Sequence, residues 1–226
     1  MLLRKRHYLQ IALNSNLDDA RNIISKLPKS DRIIIEAGTP LIKDYGSDVI
    51  SELKSLWQSR LNPPFQTTIE PYIVADLKCM DRGEAEAAIA SNNGASGAVV
   101  LGLAPIETIN SFIESCNQYD IDSMVDMMNV DKPYQVLRKI KKLPRVVILH
   151  RGVDEEKFSD KPLPIYLINK IKGSFDVMIS IAGGDTPREI QSAVFNGADI
   201  VVLWKNFYTP GSQTAEIAEQ FLREIK

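Results

Sequence analysis

Residues 8–19, Tyr8-Leu9-Gln10-Ile11-Ala12-Leu13-Asn14-Ser15-Asn16-Leu17-Asp18-Asp19, read as a short buried strand that passes straight into a capped helix. Asn16 stands just before the first helical residue, and Asp19 falls in the first turn, where negative charge meets the positive end of the helix dipole. No glycine lies between strand and helix, and this absence chooses between two architectures. An open, doubly wound sheet announces a dinucleotide site with G-x-G-x-x-G after its first strand, whereas a closed barrel needs no such turn.

Outward from this segment the same unit recurs. Strands are predicted at Tyr8–Leu13, Ile33–Ala37, Tyr72–Leu77, Gly97–Leu101, Ser123–Met127, Arg145–His150, Val177–Ile181 and Ile200–Trp204. Several are unbroken Val/Ile/Leu runs, the signature of parallel strands buried on both faces. The intervening stretches are helical. Pro105 and Pro187 stand at first helical positions, and Thr186-Pro187-Arg188-Glu189 reads as a capping box. The last helix is expected from Ser212, after Pro210-Gly211. Asn93-Gly94-Ala95 before Val99-Val100-Leu101 is echoed by Asn196-Gly197-Ala198 before Val201-Val202-Leu203. In each, a glycine ends a helix before a strand begins.

Eight strands alternating with helices, and no glycine-rich first turn, make this an α/β protein, a (β/α)8 barrel. The 226 residues, 44% hydrophobic and 25% charged, suffice for one such domain over 1–226. The irregular piece from Leu61 to Glu70, with Pro63 and Pro64, reads as a loop. With 27 basic and 29 acidic residues, and Arg4-Lys5-Arg6 as the basic cluster, the chain lacks the face that binds nucleic acid. No apolar run approaches the roughly 20 residues needed to cross a bilayer. Met1-Leu2-Leu3 is too short for a signal-peptide core. A cytoplasmic protein is expected, and Cys79 and Cys116 form neither a disulfide framework nor a metal pattern.

Barrel enzymes take their catalytic side chains from the C-terminal ends of the strands. Those ends carry Asn14, Glu36, Asp76 with Lys78, Asp126, His150 and Gly183-Gly184. Alternation puts Asp76 and Lys78 on one face, toward the barrel mouth. A buried charge there needs a partner, and Lys78 between carboxylates stays protonated, ready to face a developing oxyanion. An ordinary structural ion pair is the competing reading. Glu36, beside Asp76 on the next strand, can share a hard cation such as Mg2+, which often takes only one or two carboxylates. A satisfied core glutamate is the alternative. His150 sits at the productive end and can hold or donate a proton, while His7 lies at the other end. Ala182-Gly183-Gly184-Asp185 runs into a capped helix and can receive phosphate on its amides.

These residues together resemble the orotidine 5′-phosphate decarboxylase superfamily. The resemblance spans nearly the whole chain. It rests on Gln10-Ile11-Ala12-Leu13, Ile35-Glu36-Ala37-Gly38-Thr39-Pro40-Leu41-Ile42-Lys43, Val74-Ala75-Asp76-Leu77-Lys78 with Asp81, Val100-Leu101-Gly102, His150-Arg151-Gly152-Val153-Asp154-Glu155, Ala182-Gly183-Gly184 and Gly197-Ala198-Asp199-Ile200-Val201-Val202. Glu36 stands where the orotidylate decarboxylase branch has lysine. This points to the metal-dependent branch of hexulose-phosphate synthase and 3-keto-L-gulonate 6-phosphate decarboxylase, and Gly38–Lys43 is more similar to the former.

The resemblance implies a Mg2+-dependent aldolase that adds formaldehyde to D-ribulose 5-phosphate through an enediolate. Glu36 and Asp76 would bind the metal, Lys78 would stabilise the enediolate, and His150 would assist proton transfer. Gly183, Gly184, Lys205 and Asp126 would bind the sugar phosphate. Asp81 would reach into the site of a partner subunit, implying a homodimer. Two positions depart from the family pattern. Asn14 replaces an aspartate that ends strand one. Trp204-Lys205-Asn206-Phe207-Tyr208 replaces a Gly-Arg phosphate pair after strand eight, and Lys205 offers a point charge without the fork of arginine. A decarboxylase, or a weakened barrel that binds sugar phosphate as a sensor, are the rival expectations.

Overall fold

The computed structural model describes residues 1–62, 69–159, 161–184, 186–208 and 213–225. In chain order these form β1 (Tyr8–Leu13), α1 (Leu17–Lys26), β2 (Ile33–Ala37), α2 (Thr39–Tyr45), α3 (Asp48–Leu61), β3 (Tyr72–Cys79), α4 (Gly83–Asn92), β4 (Gly97–Leu101), α5 (Ile106–Gln118) and β5 (Asp122–Asp126). There follow α6 (Pro133–Lys139), β6 (Val146–His150), α7 (Val153–Phe158), α8 (Ile168–Lys172), β7 (Met178–Ala182), α9 (Pro187–Phe195), β8 (Ile200–Leu203), α10 (Lys205–Tyr208) and α11 (Thr214–Glu224). The strands close in sequence order, all parallel, with β8 returning to β1 through Tyr8 opposite Ile200.

Local chemistry explains the starts and stops. The Asn16 side chain accepts the Asp19 N–H at 2.9 Å, and Thr186 and Glu189 cap α9 reciprocally. The echoed Asn-Gly-Ala segments end their helices identically. Ala95 N–H bonds Ala90 O at 3.0 Å and Gly94 N–H bonds Ser91 O at 2.8 Å. The bonds of Ala198 to Ala193 O and of Gly197 to Val194 O repeat them at 3.0 and 2.8 Å. Both are Schellman closures, so the sequence echo is a structural one.

Some boundaries differ from the sequence reading. Pro105 is the N-cap of α5 rather than its first residue. The fifth strand begins and ends one residue earlier than expected, at Asp122 and Asp126. β3 runs two residues further, to Cys79, because its pairing with β4 slips between Ala75 and Cys79 and Lys78 takes φ +46°. Pro63, Pro64, Asp185 and the expected helix start at Ser212 lie outside the described residues.

Two apolar shells surround the strands. One lies between barrel and helices; the other fills the barrel with Ile34, Val74, Val99, Met124, Val146, Ile148, Met178 and Ile200. Leu2 closes the N-terminal end of the barrel at 2% exposure, and its N–H donates to Asp122 Oδ2 at 2.8 Å. The Tyr72 hydroxyl donates to the same oxygen at 2.7 Å, and Arg145 stands 3.8 Å from Oδ1. That end is sealed, so the opposite end is left for ligands.

Candidate active site

A cavity of about 450 Å3 opens at the C-terminal end of the barrel. Its walls include Gln10, Asn14, Glu36, Asp76, Lys78, Asp126, His150 and Gly183, most of the residues that the strand ends indicate. All but Gly183, which follows β7, face inward because side chains alternate along each strand and these positions share the parity of the interior apolar residues.

Asp126 is the hub. It is 1% exposed, and its Oδ2 meets His150 Nδ1 at 2.8 Å and Lys78 Nζ at 3.2 Å. Its Oδ1 accepts the Met128 N–H at 2.9 Å. Burial alone would raise this carboxyl, but the His150 and Lys78 charges overcome it and hold the group down at about 2. Asp126 therefore stays ionised and fixes its two basic partners, while lining the cavity that the sequence reading gives to the substrate.

Lys78 also meets Asp76 Oδ2 at 2.9 Å and Oδ1 at 3.2 Å. Burial works against its charge, yet Asp76 and Asp126 outweigh burial and raise it above the ordinary lysine range. Asp81, three residues further on, is not a partner of Lys78 within the chain. The chain turns outward after β3, the Cys79 thiol donates to the Asp81 carbonyl at 3.1 Å, and Asp81 stands exposed outside its own cavity. Asp126, 48 residues away, takes that place.

His150 lies under opposing influences: burial lowers it, Asp126 raises it more, and the ring ends above its usual value. With Nδ1 held by Asp126, Nε2 is the nitrogen left for the cavity. Glu36, 7% exposed, is pushed up to about 7 by burial and by the Asp76 charge, against the opposing bond from Gln10 Nε2. The Thr39 hydroxyl lies 2.7 Å from the Asp76 carbonyl and 2.9 Å from Oδ2, anchoring that carboxylate to α2.

Glu36, Asp76 and Asp126 face Lys78 and His150 across this one cavity. Glu36 and Asp76 repel one another across adjacent strands, a donor pair suited to a hard cation completed by water and ligand oxygens. Among the described residues no group of three or more His, Cys, Asp and Glu encloses a metal, so such a cation would rest on this pair.

On the phosphate side the expected residues divide. Gly183 lines the cavity at φ +96°, where a Cβ would meet the Arg151 carbonyl at 2.3 Å. Gly184 and Lys205 do not line it. Lys205 pairs with Glu156 and lies 5.6 Å above the Trp204 ring, which does form part of the wall. Asn14 packs on Gly38, where a Cβ would meet its Oδ1 at 1.8 Å, and its N–H donates to the Tyr208 hydroxyl at 3.1 Å.

Sequence reasoning missed Gln10, Thr39, Arg151 and Glu156 as members of the site. Gln10 was findable: it is the polar residue in an apolar strand at the parity of Ala12 and Asn14. Arg151 and Glu156 lie beyond β6, where strand parity no longer applies.

A lysine, a histidine and three carboxylates converging on the C-terminal mouth of a (β/α)8 barrel define an enzyme of proton-transfer and oxyanion chemistry. More particularly, the chain belongs to the orotidine 5′-phosphate decarboxylase / HUMPS family, whose sequence model matches residues 7–203. It is 39% identical over 219 residues to the bifunctional enzyme Fae/Hps of Methanosarcina mazei, covering 96% of this chain and 52% of that protein. The protein of the same name from Archaeoglobus fulgidus is 39% identical over 200 residues, 87% of this chain and 47% of its own. The chain thus spans about half the length of the curated relatives it matches.

A crystal structure of 3-hexulose-6-phosphate synthase superposes with TM-score 0.83 at 27% identity, over 97% of this chain and 100% of that one. The 3-keto-L-gulonate-6-phosphate decarboxylase from Vibrio cholerae shares the fold, with TM-score 0.73 at 22% identity over 98% of this chain and 100% of that one.

Proposed function

We propose that this chain is a carbon–carbon lyase of the hexulose-6-phosphate synthase type, joining formaldehyde to D-ribulose 5-phosphate to give 3-hexulose 6-phosphate. The observation that carries this reading is the Asp126 hub, which holds one protonated amine and one proton-carrying imidazole toward a single cavity. An aldol addition needs both: a fixed positive charge for an enediolate oxygen, and one group that moves a proton out and back.

In this scheme His150 Nε2 takes the proton from C1 of the sugar. Asp126 makes that easier by favouring the charged ring. Lys78 faces the oxygen on which negative charge develops. As C1 attacks the formaldehyde carbon, the C–O double bond becomes an alkoxide and His150 returns the proton to it. The C–H bond is broken, a C–C bond and an O–H bond are formed, and the enzyme ends as it began.

Glu36 and Asp76 would hold Mg2+, which supplies positive charge to oxygens of the bound sugar. Gln10 fixes one Glu36 oxygen and leaves the carboxylate oriented for that duty. Gly183, at the turn before α9, would receive the phosphate on backbone amides, and Lys205, paired with Glu156 beside the cavity wall, would add positive charge. Asp81, exposed beyond β3, would reach the site of a second copy of the chain in a homodimer. Two free, buried thiols, Cys79 and Cys116, fit a cytoplasmic setting, and among the described residues no helix is long and apolar enough to cross a membrane.

The test is consumption of formaldehyde with D-ribulose 5-phosphate and Mg2+, repeated with EDTA. Loss of formaldehyde that EDTA stops supports the reading. No loss from folded protein, with CO2 released from a 3-keto sugar-acid phosphate, would replace it with the decarboxylase.

A further inference from the structure

Arg151 is the first residue past β6, and it clasps the end of β7 twice. Its N–H donates to Ala182 O at 3.0 Å and its Nη2 to Gly183 O at 2.5 Å. Its side chain lines the cavity and is only 14% exposed, and its Nε is buried with no hydrogen-bond partner among the described residues. The guanidinium stands 3.8 Å from Glu156 Oε1 and 3.6 Å from Glu189 Oε1. Glu156 meets Lys205 through its other oxygen, so one carboxylate bridges a cation from the β6 loop and a cation from α10.

The two carboxylates are not equivalent. Glu189 is committed to the capping box of α9, where its Oε2 accepts from Thr186. Glu156 lines the cavity, and its charge partners are the two cations themselves. An acidic side chain on the wall of a cavity meant for an anion opposes binding unless it leaves. A phosphate monoester carries close to two negative charges and several acceptor oxygens, against one charge and two oxygens on Glu156.

We propose that Glu156 is an internal stand-in for the substrate's phosphate: it keeps Arg151 and Lys205 together at the β6–β8 side of the mouth and yields both to a phosphate monoester. This rests on the sugar-phosphate reading above and adds to it a fork-shaped cation, Arg151, supplied from the loop after β6. The arginine lacking after β8 is thereby replaced from a different loop, with Lys205 as the second charge. The site prepays the gathering of two cations and stays electrically closed until the ligand arrives.

The test is titration calorimetry on the intact chain with D-ribulose 5-phosphate, unphosphorylated ribulose and inorganic phosphate. Glu156→Gln removes the stand-in charge and keeps the shape, so both phosphate ligands are expected to bind about fivefold tighter, the scale of one partly exposed ion pair. Ribulose is expected to be unaffected. Arg151→Gln is expected to weaken both phosphate ligands by about tenfold or more, the scale of a charge-assisted hydrogen bond.

Because Arg151 also clasps the β7 end, Glu156→Gln, which leaves that clasp intact, is the deciding variant. Unchanged or weaker phosphate binding in Glu156→Gln overturns the inference, whatever Arg151→Gln does. Tighter inorganic phosphate with no binding of ribulose 5-phosphate to any form keeps the anion site and removes the aldolase reading.

Discussion

Asp122 and Asp126 stand four residues apart on the inner face of β5, about 13 Å along the strand, and both are buried. The same residue type on one face of one strand serves opposite ends of the barrel. At the N-terminal end Asp122 accepts the Leu2 N–H and the Tyr72 hydroxyl and faces Arg145. Leu2 fills the space beside it, so each of these donors is used in closing the fold. At the C-terminal end Asp126 accepts from His150, Lys78 and the Met128 N–H, and two of those donors also face a cavity. A buried carboxylate is costly at either end unless paired. The difference is whether its partners have anything left to offer a ligand, and the barrel keeps stability at one end and chemistry at the other.

The largest effect should come from the cation that the upper aspartate holds. Lys78→Ala is expected to reduce formaldehyde-consuming turnover on the order of a thousandfold, as for loss of an oxyanion partner. A cooperative melt should remain. Near-normal turnover in that variant would falsify the enediolate role of Lys78. The matched pair Asp126→Asn and Asp122→Asn then separates the two ends. Asp126→Asn is expected to cost roughly a hundredfold in kcat/KM by releasing the general acid–base group. Its melting temperature should move within about 4 °C, since Lys78 keeps Asp76. Asp122→Asn is expected to leave kcat/KM near wild type and lower Tm by about 4–8 °C, from roughly 2 kcal/mol of weakened buried bonds. Equal kinetic losses in both variants would erase the distinction.

A milder cut at the lower end removes one donor and no charge. Tyr72→Phe deletes the 2.7 Å hydroxyl bond to Asp122, leaving that oxygen to the Leu2 amide. About 1–2 kcal/mol of stability should be lost, read as a Tm shift of a few degrees with unchanged kcat and KM. A KM change would mean that the sealed end communicates with the mouth.

Much of this division is legible in the sequence. The parity that points Gln10, Glu36, Asp76, Asp126 and His150 inward follows from where each apolar run ends, so strand-borne site residues fall out of period-two alternation. The partner of Lys78 does not, because the Asp126 contact joins β3 to β5 across 48 residues and only barrel closure creates it. The left-handed φ of Lys78 is hidden too, since a bulge is set by the mismatch of β3 with β4 rather than by local residue type. Arg151, Glu156 and Lys205 meet through three separate segments beyond strands, where neither periodicity nor capping rules reach.

The smallest expected effect is also the one that tests the comparison without any kinetic assay. His150 is raised in the folded protein because Asp126 outweighs burial. A group raised on folding stabilises fully below its unfolded value, about 6.5 for histidine, and loses that contribution as pH climbs through the folded value. Asp126 works the other way: held at about 2 when folded, it stabilises above its unfolded value of roughly 3.9 and loses this as pH falls through about 2. The upper pair therefore contributes most between roughly pH 4 and 6.5. Asp122 has no such partner. It faces a backbone amide, the Arg145 guanidinium, and a phenol that burial pushes well above its usual range. Between pH 6 and 9 the wild-type Tm should fall more than that of His150→Gln or Asp126→Asn, by about 2–4 °C. Asp122→Asn should keep the wild-type slope from a lower starting Tm. If all four proteins share one slope, the His150–Asp126 pair is not a titrating couple, and the upper end of β5 is as purely structural as the lower.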